Sequence, residues 1–285
     1  MIVSGSASQS LAAALATELD EPLAAVSYDR FPDGERFVSL SSFDADRAIV
    51  VASTVSNDTL VELLLLQDAV REAGVSELVT VIPYLGYARQ DRAFEPGEPV
   101  SARAVARAVS TGTDQVLTVT PHERSVCAYF DPPATAIDGA ARLATALPDD
   151  LADPVFLAPD AGASGLAKTV RDGYGTGETD HFEKTRTSGR DVEVAPSDVE
   201  VTDRDVVVVD DIVATGRTMS EALSVCADRG ASRTFVTCVH PLLVGNAATS
   251  LSRAGVDAVY GTDTIERPVS TISVAPAVVG ALEEL

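Results

Sequence analysis

Short apolar runs rich in β-branched residues recur along the chain, at Ala48–Ala52, Leu78–Ile82, Val116–Val119, Val155–Ala158, Asp205–Val209 and Thr234–Val239. Runs of this length without polar alternation predict strands buried on both faces, the pattern of parallel sheets. Amphipathic stretches lie between them, at Thr59–Ala73, Ser101–Ser110, Gly165–Arg171, Thr218–Arg229 and Ala247–Ala254. Gly74, Gly230 and Gly255 follow three of these stretches and suit the left-handed residue that ends a helix. Such alternation of strand and helix predicts an α/β fold with mainly parallel sheets flanked by helices. The segment DPPATAIDGAARL from Asp131 breaks the rhythm with two prolines and restarts a helix at about Asp138. It predicts a crossover between two halves, 1–138 and 139–274. Thr179–Val194 alternates polar and apolar residues around Thr187-Ser188-Gly189-Arg190 and predicts a projecting β-hairpin.

Composition changes this picture in one respect. Lys plus Arg number 21 against 43 Asp plus Glu, a net charge of −22, and only two of the bases are lysines, Lys168 and Lys184. A strongly acidic surface argues against non-specific nucleic-acid binding, which needs clustered bases. It suits a protein kept soluble in concentrated salt, where self-repulsion is screened. The 46% apolar content supports a full core. The apolar patch Leu60–Leu66 is interrupted by Glu62 and is too short to span a bilayer, so no membrane association is expected. Cys127, Cys226 and Cys238 form no CxxC pair and read as buried thiols in a reducing compartment. MIVSGSASQS lacks the features of a signal peptide, which makes the cytoplasm the expected location.

Candidate chemistry concentrates in Val206–Met219, VVVVDDIVATGRTM. Four valines make a strand, Asp210 and Asp211 stand at its carboxyl end, and a small-residue turn leads into a helix at about Thr218. Ligands of open α/β sheets bind at the carboxyl ends of strands, and a helix N-terminus there offers free N–H groups to an anion. The carboxylates can accept sugar hydroxyls, while Thr215 and Thr218 can donate to phosphate. One Asp would suffice to cap the helix; two in a row followed by TGRT point to a ligand.

This loop resembles the phosphoribosyl-diphosphate loop of type I phosphoribosyltransferases. FPDGE (Phe31–Glu35), PYLGYARQDR (Pro83–Arg92), PHE (Pro121–Glu123), APDAG (Ala158–Gly162), EKTR (Glu183–Arg186) and TDTI (Thr262–Ile265) narrow the resemblance to the ribose-phosphate diphosphokinase family. They occur in that family's order and cover nearly the whole chain. The resemblance implies two phosphoribosyltransferase-like domains, with the last helix, 275–285, returning to the first. It also implies transfer of a diphosphoryl group from ATP to ribose 5-phosphate with Mg²⁺. A phosphoribosyltransferase would share the Asp210–Thr218 loop without needing FPDGE or YARQDR. A non-catalytic regulatory homologue is expected to lose the lysine or a metal ligand, and neither is lost.

The resemblance also assigns roles. Lys184 is the implied catalytic lysine, stabilising the migrating group. Arg186, two residues on and so on the same strand face, is implied to help bind ribose 5-phosphate. The remaining ribose 5-phosphate residues are Asp210, Asp211, Ala214, Thr215, Gly216, Arg217 and Thr218. Phe31 is implied to stack on adenine, Asp33, Gly34 and Glu35 to meet the base edge, and Arg89 and Gln90 to meet the ATP phosphates. His122 and Asp160 are the implied Mg²⁺ ligands, sufficient for a hard cation that keeps several waters. In this family the FPDGE loop serves a neighbouring subunit, which implies a homo-oligomer, a dimer or a multiple of dimers, with the active site near a subunit interface. Two positions depart from the family pattern: Thr120 stands where an acidic residue is common, and TGRT replaces TGGT. Arg217 therefore either adds phosphate affinity or points outward. Phe94–Pro99 is expected to form a mobile loop. Lys168, His181 and His240 match no site and read as structural or solvated residues.

Overall fold

The computed structural model describes residues 1–41, 43–186, 192–196 and 199–285, and its side chains except those of 184–186 and 192–196. The chain divides into two units, and three of the four crossings lie near the C-terminus. The first unit comprises Met1–Asp138, Asp263–Glu266 and Ser273–Leu285; the second comprises Gly139–Thr262 and Arg267–Ile272.

The first unit is built on five parallel strands: β1 (Ile2–Ser4), β4 (Arg47–Val51), β5 (Glu77–Ile82), β6 (Gln115–Val119) and β7 (Ala134–Ile137), in the order β1-β4-β5-β6-β7. Between β1 and β4, β2 (Ala25–Arg30) and β3 (Arg36–Ser41) form a separate antiparallel hairpin. The unit's helices are α1 (Gln9–Glu18), α2 (Asn57–Glu72) and α3 (Ser101–Ser110), together with the C-terminal helix. A capping box, Ser56 with Thr59, starts α2. Its Leu63, Leu66 and Val70 are fully buried. Burying side chains of this size contributes about 1.5–3 kcal/mol each, which makes α2 a firm platform.

The second unit has seven strands in the order β10-β9-β8-β11-β12-β13-β14. They are β8 (Val155–Ala158), β9 (Glu178–Arg186), β10 (Val192–Pro196), β11 (Val206–Ile212), β12 (Thr234–His240), β13 (Ala258–Thr262) and β14 (Ser270–Ile272). Only β10 runs antiparallel, against β9. The helices are α4 (Ser164–Tyr174), α5 (Arg217–Asp228) and α6 (Ala247–Arg253). Val206–Val209 of β11 are fully buried between β8 and β12. Just ahead of β11, the buried Asp205 carboxylate accepts from Arg233 Nη2 at 2.6 Å and from the Ala152 N–H at 2.7 Å. Burial works to raise its pKa, but the Arg233 guanidinium and the Ala152 N–H outweigh it and hold the carboxyl below its ordinary value. The bonds pin the starts of β11 and β12 together. The last helix, α7 (Ala275–Glu283), belongs to the first unit and lies against α1.

Two readings need correction, and a third falls partly outside the described residues. DPPATAIDGAARL contains β7, paired with β6, and runs into a 3₁₀ turn at Ala140–Ala146 instead of a helix from Asp138. A proline just before an edge strand is tolerated because it removes no ladder bond, and the Pro133 carbonyl still accepts from the Val116 N–H at 2.9 Å. Cys127 is only partly buried, unlike Cys226 and Cys238. The turn Thr187-Ser188-Gly189-Arg190 lies outside the described residues, although both of its flanking strands are present.

Candidate functional site

In the first unit the FPDGE residues form the tip of the β2–β3 hairpin. The Phe31 N–H donates to the Glu35 carbonyl at 2.9 Å, and the Gly34 N–H to the Phe31 carbonyl at 2.8 Å. Gly34 takes φ +95°, a left-handed backbone that only glycine adopts without strain. The Glu35 N–H meets Asp33 Oδ1 at 3.3 Å. Phe31 is 49% exposed and touches Phe37 edge-on, with the ring centres 5.4 Å apart. A large aromatic left half in solvent offers a free face to a stacking partner.

The YARQDR segment follows β5 and is held by close backbone contacts. The Gly86 N–H donates to Thr54 Oγ1 at 2.8 Å, and the Thr54 N–H to the Tyr84 carbonyl at 2.9 Å. A Cβ on Gly86 would sit 2.3 Å from the Thr54 carbonyl oxygen, so only glycine fits. Arg89 is exposed. The Gln90 carbonyl accepts from the Ala102 N–H at 3.2 Å, and Gln90 Oε1 accepts from the Ser101 hydroxyl, which ties the segment to the start of α3. Beyond it, residues 93–99 form an exposed loop, with Arg92 over the Phe94 ring. His122 is exposed just after β6, where Thr120 holds φ +37°. That backbone strains a β-branched residue such as Thr120 and suits Asp or Asn.

In the second unit Asp160 follows β8 and Asp210 and Asp211 close β11. Asp160 Oδ1 accepts from the Gly162 N–H at 3.0 Å, and Asp210 Oδ1 from the Asp211 N–H at 2.9 Å. Burial, then the neighbouring Asp211 charge, and more weakly the Asp160 charge, push the Asp210 carboxyl well above the usual carboxylate range. Three acids crowded in this way are a place where a cation or a hydroxyl donor is welcome. Among the described residues no three His, Cys, Asp or Glu side chains form a ready metal cage.

The loop from Ala214 to Gly216 leads into α5, whose first turn receives no side-chain cap. Gly216 sits at φ +73°, and a Cβ there would meet the Ala247 carbonyl oxygen at 3.2 Å. Thr215 and Thr218 are exposed beside these open N–H groups. Arg217 turns outward, 85% exposed and paired with Glu221 at 2.8 Å. Lys184 and Arg186 lie two positions apart on β9, opposite Val194 and Val192 of β10; their side chains lie outside the description. Lys168 is exposed on α4 and His240 is buried at the end of β12.

The sequence reading missed the partners that hold the hairpin tip, Arg30 and Arg36 on the strands and Asp58 and Glu62 on α2. The only sequence signal was the i, i+4 spacing of the two acids in NDTLVEL, which marks one helix face.

Comparison with known proteins gives one consistent result. Residues 1–112 match the N-terminal domain of ribose phosphate pyrophosphokinase, and residues 129–271 match the phosphoribosyl transferase domain. The chain is 61% identical over 283 residues to a ribose-phosphate pyrophosphokinase of Halobacterium salinarum, covering 99% of this chain and 100% of that one. It is 43% identical over 276 residues to that of Methanopyrus kandleri, covering 95% and 94%. Its fold matches a crystal structure of phosphoribosylpyrophosphate synthetase from Mycobacterium smegmatis with a TM-score of 0.83 and 27% identity, over 99% of this chain and 97% of that one.

Proposed function

The chain belongs to the ribose-phosphate pyrophosphokinase family, and from that premise we propose how its residues divide the work. It transfers the diphosphoryl group of ATP to the anomeric hydroxyl of ribose 5-phosphate, giving 5-phosphoribosyl 1-diphosphate and AMP for nucleotide biosynthesis. The sugar oxygen forms a bond to the β-phosphorus, the bond from that phosphorus to the oxygen of the α-phosphate breaks, and the hydroxyl proton is lost.

The observation that carries the sugar-phosphate assignment is Asp210-Asp211 at the carboxyl end of β11, followed by the glycine turn and the uncapped start of α5. Asp210 and Asp211 accept the ribose hydroxyls. The N–H groups and hydroxyls from Ala214 to Thr218 hold the 5-phosphate. Arg217, turned to Glu221, is not needed for that grip. Phe31 stacks on adenine, while Asp33, Gly34 and Glu35 meet its edge. Arg89 donates to the ATP phosphates, and Gln90 offers its amide N–H₂, since its oxygen is taken by Ser101. Lys184 supplies the fixed positive charge that the migrating group needs, and Arg186 assists with ribose 5-phosphate.

Enzymes of this family are metal-dependent, and His122 and Asp160 are the residues that would hold Mg²⁺, one imidazole and one carboxylate for an ion that keeps several waters. When bound, the ion neutralises phosphate charge and orients the phosphates. The FPDGE hairpin serves a neighbouring copy, so the chain works as a homo-oligomer, a dimer or a multiple of dimers. No described helix is long and apolar enough to cross a membrane, and we place the enzyme in the cytoplasm. A phosphoribosyltransferase that consumes the product would share the Asp210–Thr218 loop but not the match over residues 1–112.

The test follows AMP release from ATP with and without ribose 5-phosphate, in concentrated KCl with Mg²⁺. AMP formation that does not depend on ribose 5-phosphate overturns the reading. Calorimetry on two variants tests the division of labour: Phe31→Ala should weaken ATP alone and Asp211→Ala ribose 5-phosphate alone. Equal defects toward both ligands count against it.

A further inference from the structure

The hairpin tip is gripped from both sides by one face of α2. Arg30 and Arg36 are cross-strand partners that flank the FPDGE residues. Asp58 and Glu62, one helical turn apart on α2, each take one of them. On the exposed side, Arg30 Nη2 pairs with Asp58, and Arg30 Nη1 reaches back to the Gly34 carbonyl at 2.8 Å. On the buried side, Arg36 Nη2 meets Glu62 Oε2 at 2.7 Å. Glu62 is 1% exposed and also accepts from the Ser6 N–H at 2.6 Å and the Ser6 hydroxyl at 2.9 Å.

As a pure stabiliser the buried pair is a poor choice. Two desolvated charges commonly do no better than apolar side chains of similar size, and Arg36 Nε is buried without a hydrogen-bond partner among the described residues. A bonded pair differs from an apolar contact in direction: it fixes the height and tilt of the strand that carries it. Arg36 is the residue immediately after Glu35, and Arg30 the one immediately before Phe31.

We propose that Glu62 and Asp58, acting through Arg36 and Arg30, are positioning residues that set the pose in which the Phe31–Glu35 tip meets the nucleotide. The inference rests on the reading that this tip binds ATP. The polar contacts found for these four side chains are with one another, Ser6 and the Gly34 carbonyl. Ser6, held by the same Glu62 carboxylate, ties the clamp to the end of β1, so the hairpin takes its reference from both the sheet and the helix.

The experiment compares Glu62→Gln, Arg36→Met, Arg30→Gln and Phe31→Ala in the full-length enzyme, measuring KM for each substrate, kcat and melting temperature. A displaced tip should raise KM for ATP by about tenfold to a hundredfold, the scale set by misplacement of about 1 Å. KM for ribose 5-phosphate should stay within about twofold in the same variants. A merely structural role would lower the melting temperature and the active fraction while leaving KM for ATP unchanged, and that result overturns the proposal. Arg30→Gln removes the exposed Asp58 pair and the bond to the Gly34 carbonyl, both on the surface, and carries the test if the buried variants do not fold. Arg36→Lys, which keeps the charge near Glu62, should recover part of the ATP affinity that Arg36→Met loses; no recovery also overturns it. If Phe31→Ala leaves KM for ATP unchanged, the reading of the tip as an ATP site fails instead.

Discussion

Replacing Gly86 with Ala tests whether the YARQDR segment is placed by backbone contact. The added Cβ would stand 2.3 Å from the Thr54 carbonyl oxygen, against an ordinary contact of 3.4 Å, so one backbone must yield by 3.4 − 2.3 = 1.1 Å. Neither can do so freely, because Thr54 and Gly86 are buried and tied to each other and to Tyr84. Overpacking of this kind costs about 1–3 kcal/mol, and the backbone clash places this case toward the upper end. Arg89 lies three residues on, so the displacement reaches the proposed phosphate contacts. A shift of about 1 Å there can cost on the order of 10²-fold in kcat/KM for ATP. Gly74→Ala is the control. Its φ of +96° makes Ala unfavourable, by about 1 kcal/mol, but nothing lies within 4 Å of the new Cβ, and no segment is pushed. Thermal melts and initial rates on both variants separate the effects: both should melt earlier, and only Gly86→Ala should lose ATP affinity. A Gly86→Ala enzyme that melts within about 2 °C of the parent and keeps its KM for ATP would refute the reasoning.

Lys184→Ala should lower the rate by about 10²–10³-fold while the protein still folds; retention of more than roughly a tenth of the rate rules out the catalytic assignment. Asp205→Asn should destabilise the second unit at pH 7. Because the Asp205 carboxyl is held below its ordinary value, its contribution is fully present above about pH 3.9 and is lost as pH falls through the lower folded value. The gap between variant and parent should therefore narrow in acid, and denaturation curves showing a gap that widens would contradict this. With a net charge of −22, melting temperature and activity should both climb between about 0.1 M and about 2 M KCl as the Debye length shrinks. A flat or falling melting series would reject salt adaptation and leave the enzyme assignment intact.

Legibility in the sequence followed burial. Val206–Val209 and Thr234–Val239 announced β11 and β12 because parallel strands covered on both faces are apolar throughout. The hairpin β2–β3 alternates exposed and half-buried residues and carries no such run, so only the FPDGE turn was visible. β7 hid behind its prolines, and β13 and β14 are short and flanked by polar residues. The candidate site residues stand out as motifs because phosphate and ribose chemistry demands particular side chains at fixed spacing. Lys184 stood out because lysine is nearly absent elsewhere. Glu62 stayed invisible as a functional residue because its meaning depends on Ser6 and Arg36, brought to it by tertiary folding. The same holds for Asp205, whose partner Arg233 is 28 residues away.

The late return of the chain to its first unit also bears on how the protein is made. Ser53 Oγ donates to the Thr264 carbonyl at 2.6 Å, the Ser10 N–H meets Glu266 at 2.6 Å, and α7 covers α1. None of these partners exists while the ribosome is still translating Gly139–Thr262 of the second unit. At about 5–20 residues per second, the interval from Asp138 to Asp263, 263 − 138 = 125 residues, lasts on the order of ten seconds. Through that interval the nascent first half waits with α1 lacking its contacts to α7. Nascent chains stalled just before Asp263 should be cut readily by protease within α1, and release of the full chain should protect it; early protection would show that the half closes without its tail. Translation order thus makes the first-born unit the last to be finished, and a chaperone that shields α1 has a defined stretch of synthesis in which to act.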